Sequence, residues 1–100
     1  MLVRIGTSND IPAGKMRAFE VAGTKVDVAN AAGHFYALDD TCTHRGCSLA
    51  NGRLAGTTVT CPCHGSQFDV TSGAVLRGPA QQPVRSRSVQ VDGDDLLVEA

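Results

Sequence analysis

No apolar run in the sequence approaches the roughly 20 residues that a bilayer-crossing helix needs. The start, Met1-Leu2-Val3-Arg4-Ile5-Gly6-Thr7-Ser8, also turns polar too soon for a secretory signal. A soluble protein that stays in the cytoplasm, with no membrane partner, is the expectation. Nor is there a surplus of either charge. Nine basic side chains against ten acidic ones leave a formal charge of -1, too little positive charge to hold a polyanion through many phosphate contacts, which excludes nucleic acid as a general partner. Uninterrupted stretches are missing as well: 11 Gly and 4 Pro are spread so evenly that a long helix has almost nowhere to form. With 100 residues, 42% hydrophobic and 19% charged, the chain has the composition of one ordinary globular domain. Disorder, coiled coil and collagen-like repetition are set aside.

What is there is short alternation. Lys25-Val26-Asp27-Val28 and Ser88-Val89-Gln90-Val91 each put two valines on one face, the pattern of a half-buried strand. Asp92-Gly93-Asp94-Asp95 separates the second of these from Leu96-Leu97-Val98-Glu99, and Asn30-Ala31-Ala32-Gly33 stands between Val26-Asp27-Val28-Ala29 and His34-Phe35-Tyr36-Ala37-Leu38. Both are hairpin connections. Short strands at regular turn signals predict an all-β sandwich or small barrel, one domain over residues 1–100. The stretch from Thr41 to Ala80 carries little alternation and reads as a loop-rich insertion on that base. Helical turns after Ile11-Pro12-Ala13-Gly14 or around Ser48 to Asn51 would be too short to matter to function.

All four cysteines and two of the three histidines fall in that insertion, as Cys42-Thr43-His44-Arg45-Gly46-Cys47 and Cys61-Pro62-Cys63-His64-Gly65-Ser66. Thiolate and neutral imidazole together suit zinc, copper and iron. Three readings compete. A structural zinc, as in an interaction module, would take two Cys and two His, but the usual C-x2-to-4-C knuckle is missing. A plant-type cluster on four cysteines matches Cys42-x4-Cys47, yet Cys61-x-Cys63 is too tight for its next step. The third reading gives one Cys and one His from each loop to a 2Fe–2S centre.

The paired C-T-H-R-G-C and C-P-C-H-G-S loops, separated by 16 residues between His44 and Cys61, resemble the cluster-binding loops of Rieske iron–sulfur proteins. The resemblance continues through Gln67-Phe68-Asp69 and Thr71-Ser72-Gly73 into Leu76-Arg77-Gly78-Pro79-Ala80, which is similar to the proline loop that covers the cluster in that family. It implies a β-sandwich base with a small cluster-binding subdomain at about 41–80, and one 2Fe–2S cluster as cofactor. By it, Cys42 and Cys61 bind the inner iron, and His44 and His64 the outer one. Cys47 and Cys63 match a pair that some members join as a disulfide, expected here to be structural and shielded from the cytosolic thiol pool. Ser66 corresponds to a serine that donates to a bridging sulfide, and Phe68 stands where high-potential members carry a tyrosine that donates to a ligand sulfur. The implied activity is that of a monomeric one-electron carrier, a ferredoxin between a reductase and a terminal oxidoreductase such as a ring-hydroxylating oxygenase, with no catalytic residues of its own. A small Rieske subunit of a larger, nitrite reductase-like enzyme is the alternative within the family.

The residue types suit that chemistry. Two thiolates and two neutral imidazoles leave an oxidised 2Fe–2S core uncharged, whereas four thiolates leave it at -2, so an electron is easier to add. Imidazoles at loop tips also keep their second nitrogens near solvent, where a partner or a proton can reach them. Gly46 and Gly65 suit a backbone that turns tightly at positive φ. His34 reads as a plain strand residue. Asp39-Asp40, Asp94-Asp95 and Arg85 with Arg87 read as solvated faces, and Arg45 and Arg53 as charges near the tip that steer a redox partner.

Overall fold

A computed structural model describes residues 1–44 and 46–100; the steering role expected of Arg45 lies outside the described residues. Three antiparallel sheets are stacked. The first runs in the order β1 (Leu2–Thr7), β11 (Asp95–Glu99), β10 (Val89–Asp92). The second is β2 (Met16–Val21), β3 (Thr24–Ala31), β4 (His34–Asp39), β9 (Ser86–Arg87), and the third is β5 (Arg53–Ala55), β6 (Thr58–Thr60), β7 (Gln67–Asp69), β8 (Val75–Arg77). Tight turns set the registers. Ala22-Gly23 joins β2 to β3 and Ala32-Gly33 joins β3 to β4, and all four residues have positive φ, from 49° to 92°. Two-residue turns of that kind match the twist of the strands they connect.

Two cores divide the layers. Ile11, Val21, Val26, Val28, Ala37, Leu96 and Val98 are buried between the first and second sheets. Ala29, Leu38, Cys42, Leu49, Val59, Cys61, Phe68, Val70, Ala80 and Val84 fill the space between the second and third. The second sheet is therefore covered on both faces, which corrects the half-buried reading of β3. Every residue from Val26 to Ala31 is buried, including Asp27 at 2% exposure. Alternation marks one buried face only, and the third sheet that hides the other comes from a distant part of the chain. That sheet also corrects the reading of 41–80 as mostly loop. Its strands of three residues are too short to display a period of two, although Leu54, Val59, Phe68 and Val75 do share the inward face.

The short helical turns lie at Ser8–Asp10, before Ile11 rather than after it, and at Leu49–Asn51, inside the expected stretch. The charged pairs are mixed. Asp95 is exposed and paired with Arg4 at 2.8 Å, as a solvated face should be. Asp39, by contrast, holds Arg87 at 2.7 Å with the arginine side chain only 6% exposed, and Arg87 also donates to the Glu99 carbonyl at 3.1 Å. It ties the second sheet to the first. Asp40 is buried.

Candidate metal centre

The two cysteine–histidine loops share a pattern of backbone hydrogen bonds. In the first, the Cys42 N–H donates to the Cys47 carbonyl at 2.9 Å and the Gly46 N–H to the Cys42 carbonyl at 2.8 Å. In the second, the Cys61 N–H donates to the Ser66 carbonyl at 2.8 Å and the Gly65 N–H to the Cys61 carbonyl at 3.2 Å. Gly46 and Gly65 occupy equivalent positions at φ 76° and 79°, a conformation that a Cβ would strain.

Each loop is anchored separately. Asp40 holds the first: its carboxylate accepts the Ser48 hydroxyl at 2.5 Å and the Ala50 N–H at 2.9 Å, and its carbonyl accepts the Leu49 N–H at 2.8 Å. The segment after β8, with its cis Gly78–Pro79 peptide, meets both loops. The Thr43 hydroxyl donates to the Gln82 carbonyl at 2.6 Å, and the Ala80 N–H donates to Ser66 Oγ at 3.0 Å. Neither Asp40 nor Thr43 was singled out by sequence. Their roles depend on a carbonyl and amides that no local pattern announces, and Asp40 beside Asp39 looks like a solvated pair.

The candidate side chains form two pairs. Cys42 and Cys61 are free thiols, 2% and 4% exposed, and their sulfurs lie within hydrogen-bond reach of each other. Burial pushes the Cys61 thiol up; backbone N–H groups of Cys63 and His64 pull it down, while Cys42 adds to the rise. The His44 and His64 rings stand edge to face, centroids 5.2 Å apart at 87°. His64 is exposed and His44 half-buried, with His44 Nδ1 buried and without a hydrogen-bond partner among the described residues. The sulfurs of Cys47, Cys61 and Cys63 lie within 4.8 Å of one another and could pass for a metal-binding trio. They are not one, because Cys47 and Cys63 are joined as a disulfide, Cα atoms 6.5 Å apart, and retain no thiolate. Cys63 is exposed and Cys47 half-buried, so the bridge is open to solvent on one side rather than shielded.

Ser66 is fully buried and uses an oxygen lone pair on the Ala80 N–H, which leaves its hydroxyl proton free to donate. Phe68, also fully buried, faces Val59 across β6 and β7 and packs in the core that contains Cys42 and Cys61. His34 lies exposed at the start of β4, as a plain strand residue.

An orphaned imidazole nitrogen and two unbridged buried thiols in the same pair of loops fit an iron–sulfur group better than an apolar core, where such atoms would be costly. The same conclusion comes from comparison with known proteins. The model of the Rieske [2Fe-2S] domain matches residues 1–92. The ferredoxin component of biphenyl 2,3-dioxygenase from Rhodococcus jostii (strain RHA1) is 37% identical over 98 residues, which is 98% of this chain and 92% of that one. The ferredoxin of carbazole 1,9a-dioxygenase from Nocardioides aromaticivorans IC177 superposes with a TM-score of 0.94 at 34% identity, covering 98% and 96% of the two chains. A chain in the complex of reduced oxygenase and oxidised ferredoxin in carbazole 1,9a-dioxygenase superposes with a TM-score of 0.92 at 31% identity, covering 97% and 91%. The stacked sheets are shared with these solved structures along nearly the whole chain, and this chain belongs to the Rieske [2Fe-2S] domain family.

Proposed function

We propose that the chain is a one-electron carrier of the ferredoxin type, in which Cys42 and Cys61 hold one iron of a single Rieske 2Fe–2S cluster and His44 and His64 hold the other. The observation that carries this reading is the buried His44 Nδ1, partnerless among the described residues, accompanied by the two free buried thiols. An unpaired buried polar atom costs about 1–3 kcal/mol, and a metal bond removes that cost. When bound, the cluster takes up and returns one electron. The protein supplies the rest. Backbone N–H groups of Cys63 and His64 aim at the Cys61 sulfur and favour added negative charge, as does the Ser66 hydroxyl. Phe68, Val59 and Leu49 keep water from the thiol side, while the exposed His64 ring offers an edge to a partner.

Sequence and fold alike support one Rieske domain over residues 1–100, its cluster-binding part at about 41–80, with no catalysis of its own. The partners in this reading are a reductase and a terminal oxygenase, met in the cytoplasm. The relatives are components of dioxygenase systems, and in carbazole 1,9a-dioxygenase ferredoxin and oxygenase form a complex. No helix among the described residues is long and apolar enough to cross a membrane. The test is composition: two irons and two acid-labile sulfides per chain, with an electron paramagnetic resonance signal on reduction. Stoichiometric zinc in protein isolated from its own host would overturn the reading.

Two further outcomes are expected. Cys47→Ser should leave the cluster able to assemble but destabilise the chain, because a bridge closing a loop of this length contributes about 3 kcal/mol. Thermal bleaching of the visible absorbance would come at lower temperature, and an unchanged midpoint would deny the clamp. Phe68→Tyr adds one hydroxyl within the core that holds both thiols. Only the strengthening of its hydrogen bond on reduction counts, so the potential should rise by some tens of millivolts, about 59 mV being a tenfold change for one electron. Film voltammetry showing no rise with the cluster intact would mean that Phe68 does not face a ligand sulfur.

A further inference from the structure

Four residues cross the small sheet in one row. Arg53 faces Thr60, Thr60 faces Gln67, and Gln67 faces Arg77 across a register shift that leaves Leu76 as an extra residue on β8 and lets Arg77 stay on the exposed side. Opposed residues share a face, and Leu54, Val59, Phe68 and Val75 occupy the inner one, so the row lies outward. Gln67 Nε2 donates to Thr60 Oγ1 at 3.3 Å, and both arginines are exposed. At the usual strand spacing they stand about 14 Å apart. The row borders the second cysteine–histidine loop, since Thr60 precedes Cys61 and Gln67 follows Ser66. Arg53 and Gln67 also line a surface depression with Cys61 and Pro62.

Acidic groups are few around it. Residues 41–48, 61–67 and 76–82, which meet around the centre, contain no Asp or Glu. One acid shares the outer face, Asp69, whose carboxylate accepts the Thr71 hydroxyl at 2.7 Å and N–H at 2.9 Å; these donors hold it ionised, below the usual carboxylate range, so the two arginines exceed the acids of that face by one charge. Asp92, Asp94 and Asp95 belong to the β10–β11 hairpin, with the whole second sheet between them and the small one. A chain of net charge -1 therefore presents a cationic strip beside the proposed electron exit. Next to Arg77, on an edge strand, Leu76 is 54% exposed. An apolar anchor beside arginines suits a protein surface, and two charges are too few for a polyanion.

We propose that the Arg53–Thr60–Gln67–Arg77 row is the docking strip for a redox protein whose contact surface is acidic, its carboxylates meeting the two guanidinium groups. Arginine is matched to that task by its planar fork of donors, and complementary charge raises the rate of productive encounter. The proposal rests on the electron-carrier reading and specifies the partner.

The reduced protein is mixed with two one-electron acceptor proteins, acidic plastocyanin and basic cytochrome c, from about 10 to about 500 mM ionic strength. The wild-type rate to plastocyanin should fall at least about tenfold with salt, through screening of the strip. Arg53→Glu with Arg77→Glu should remove that dependence. Arg4→Glu with Arg17→Glu, which makes the same change in net charge on the other two sheets, should retain it. Equal shifts in both double variants, or a wild-type rate to plastocyanin that rises with salt, would overturn the proposal. A failed carrier reading looks different: no iron or sulfide, and no transfer to either acceptor. The strip is tested even then, by the side-chain Nε–H signals of Arg53 and Arg77 in nuclear magnetic resonance spectra on titration with a polyglutamate peptide. Shifts there and not at Arg4 support it, and unmoved signals refute it.

Discussion

His64→Cys is expected to retain a metal centre and to lower its reduction potential by about 200 mV. Rieske centres span about -150 to +300 mV, and plant-type ferredoxins with four thiolates lie near -400 mV. Replacing one neutral imidazole by a thiolate covers about half of that gap, because it adds one negative charge where the reduced state already carries an extra electron. His64 is the better site of the two histidines: its side chain is exposed and makes no hydrogen bond among the described residues, whereas His44 is half-buried. Voltammetry at fixed pH compares the variant with the wild type. A potential within a few tens of millivolts of the wild type would remove His64 from the ligand set.

Asp27→Asn should remove a loss of stability that the wild type suffers on going from acid to neutral pH. Asp27 lies in the middle of β3, opposite Ala18 and Leu38, on the face turned toward the small sheet. It is 2% exposed and its Oδ1 has no hydrogen-bond partner. Burial, with the Asp40 charge adding to it, pushes its carboxyl up to about 7 from 3.8. The native state therefore holds a proton that the unfolded chain has released. Stability is undiminished below about pH 4, falls as the pH rises through the window from 3.8 to about 7, and stays reduced above it. At 1.36 kcal/mol per pH unit the whole loss is about 4 kcal/mol. Asparagine cannot ionise, so the variant should match the wild type near pH 4 and exceed it by up to that amount at pH 8. Urea unfolding at a series of pH values reads the difference directly, and parallel curves would show that Asp27 is not the titrating group.

Asp40 stays in place in that experiment and should continue to hold the first loop. Its carboxylate accepts the Ser48 hydroxyl and the Ala50 N–H, whereas Asp27 Oδ1 has no partner among the described residues, so the cost of burial without donors falls on Asp27. Coupling between the two acids is invisible along the chain, since Asp27 lies in β3 and Asp40 just past the end of β4, and the residues that engage Asp40 lie beyond the first cysteine loop.

The sequence by itself determined the two cysteine–histidine loops and the base hairpins. Both are written locally: Cys42 with His44, Cys61 with His64, the glycine before each loop closes, and the Ala-Gly turns all act within a few residues. Backbone conformation and ligand spacing depend on such neighbours. The tertiary structure alone decided the burial of Asp27, the sealing of Arg87 against Asp39, the clasp of Thr43 on Gln82, the opening of Cys63 to solvent, and the alignment of Arg53 with Arg77 across four strands. Each of these needs groups distant in sequence to meet, or water to be excluded by a third layer. Alternation along a strand separates its two faces, but whether the polar face meets water or a second core depends on which sheet is stacked against it.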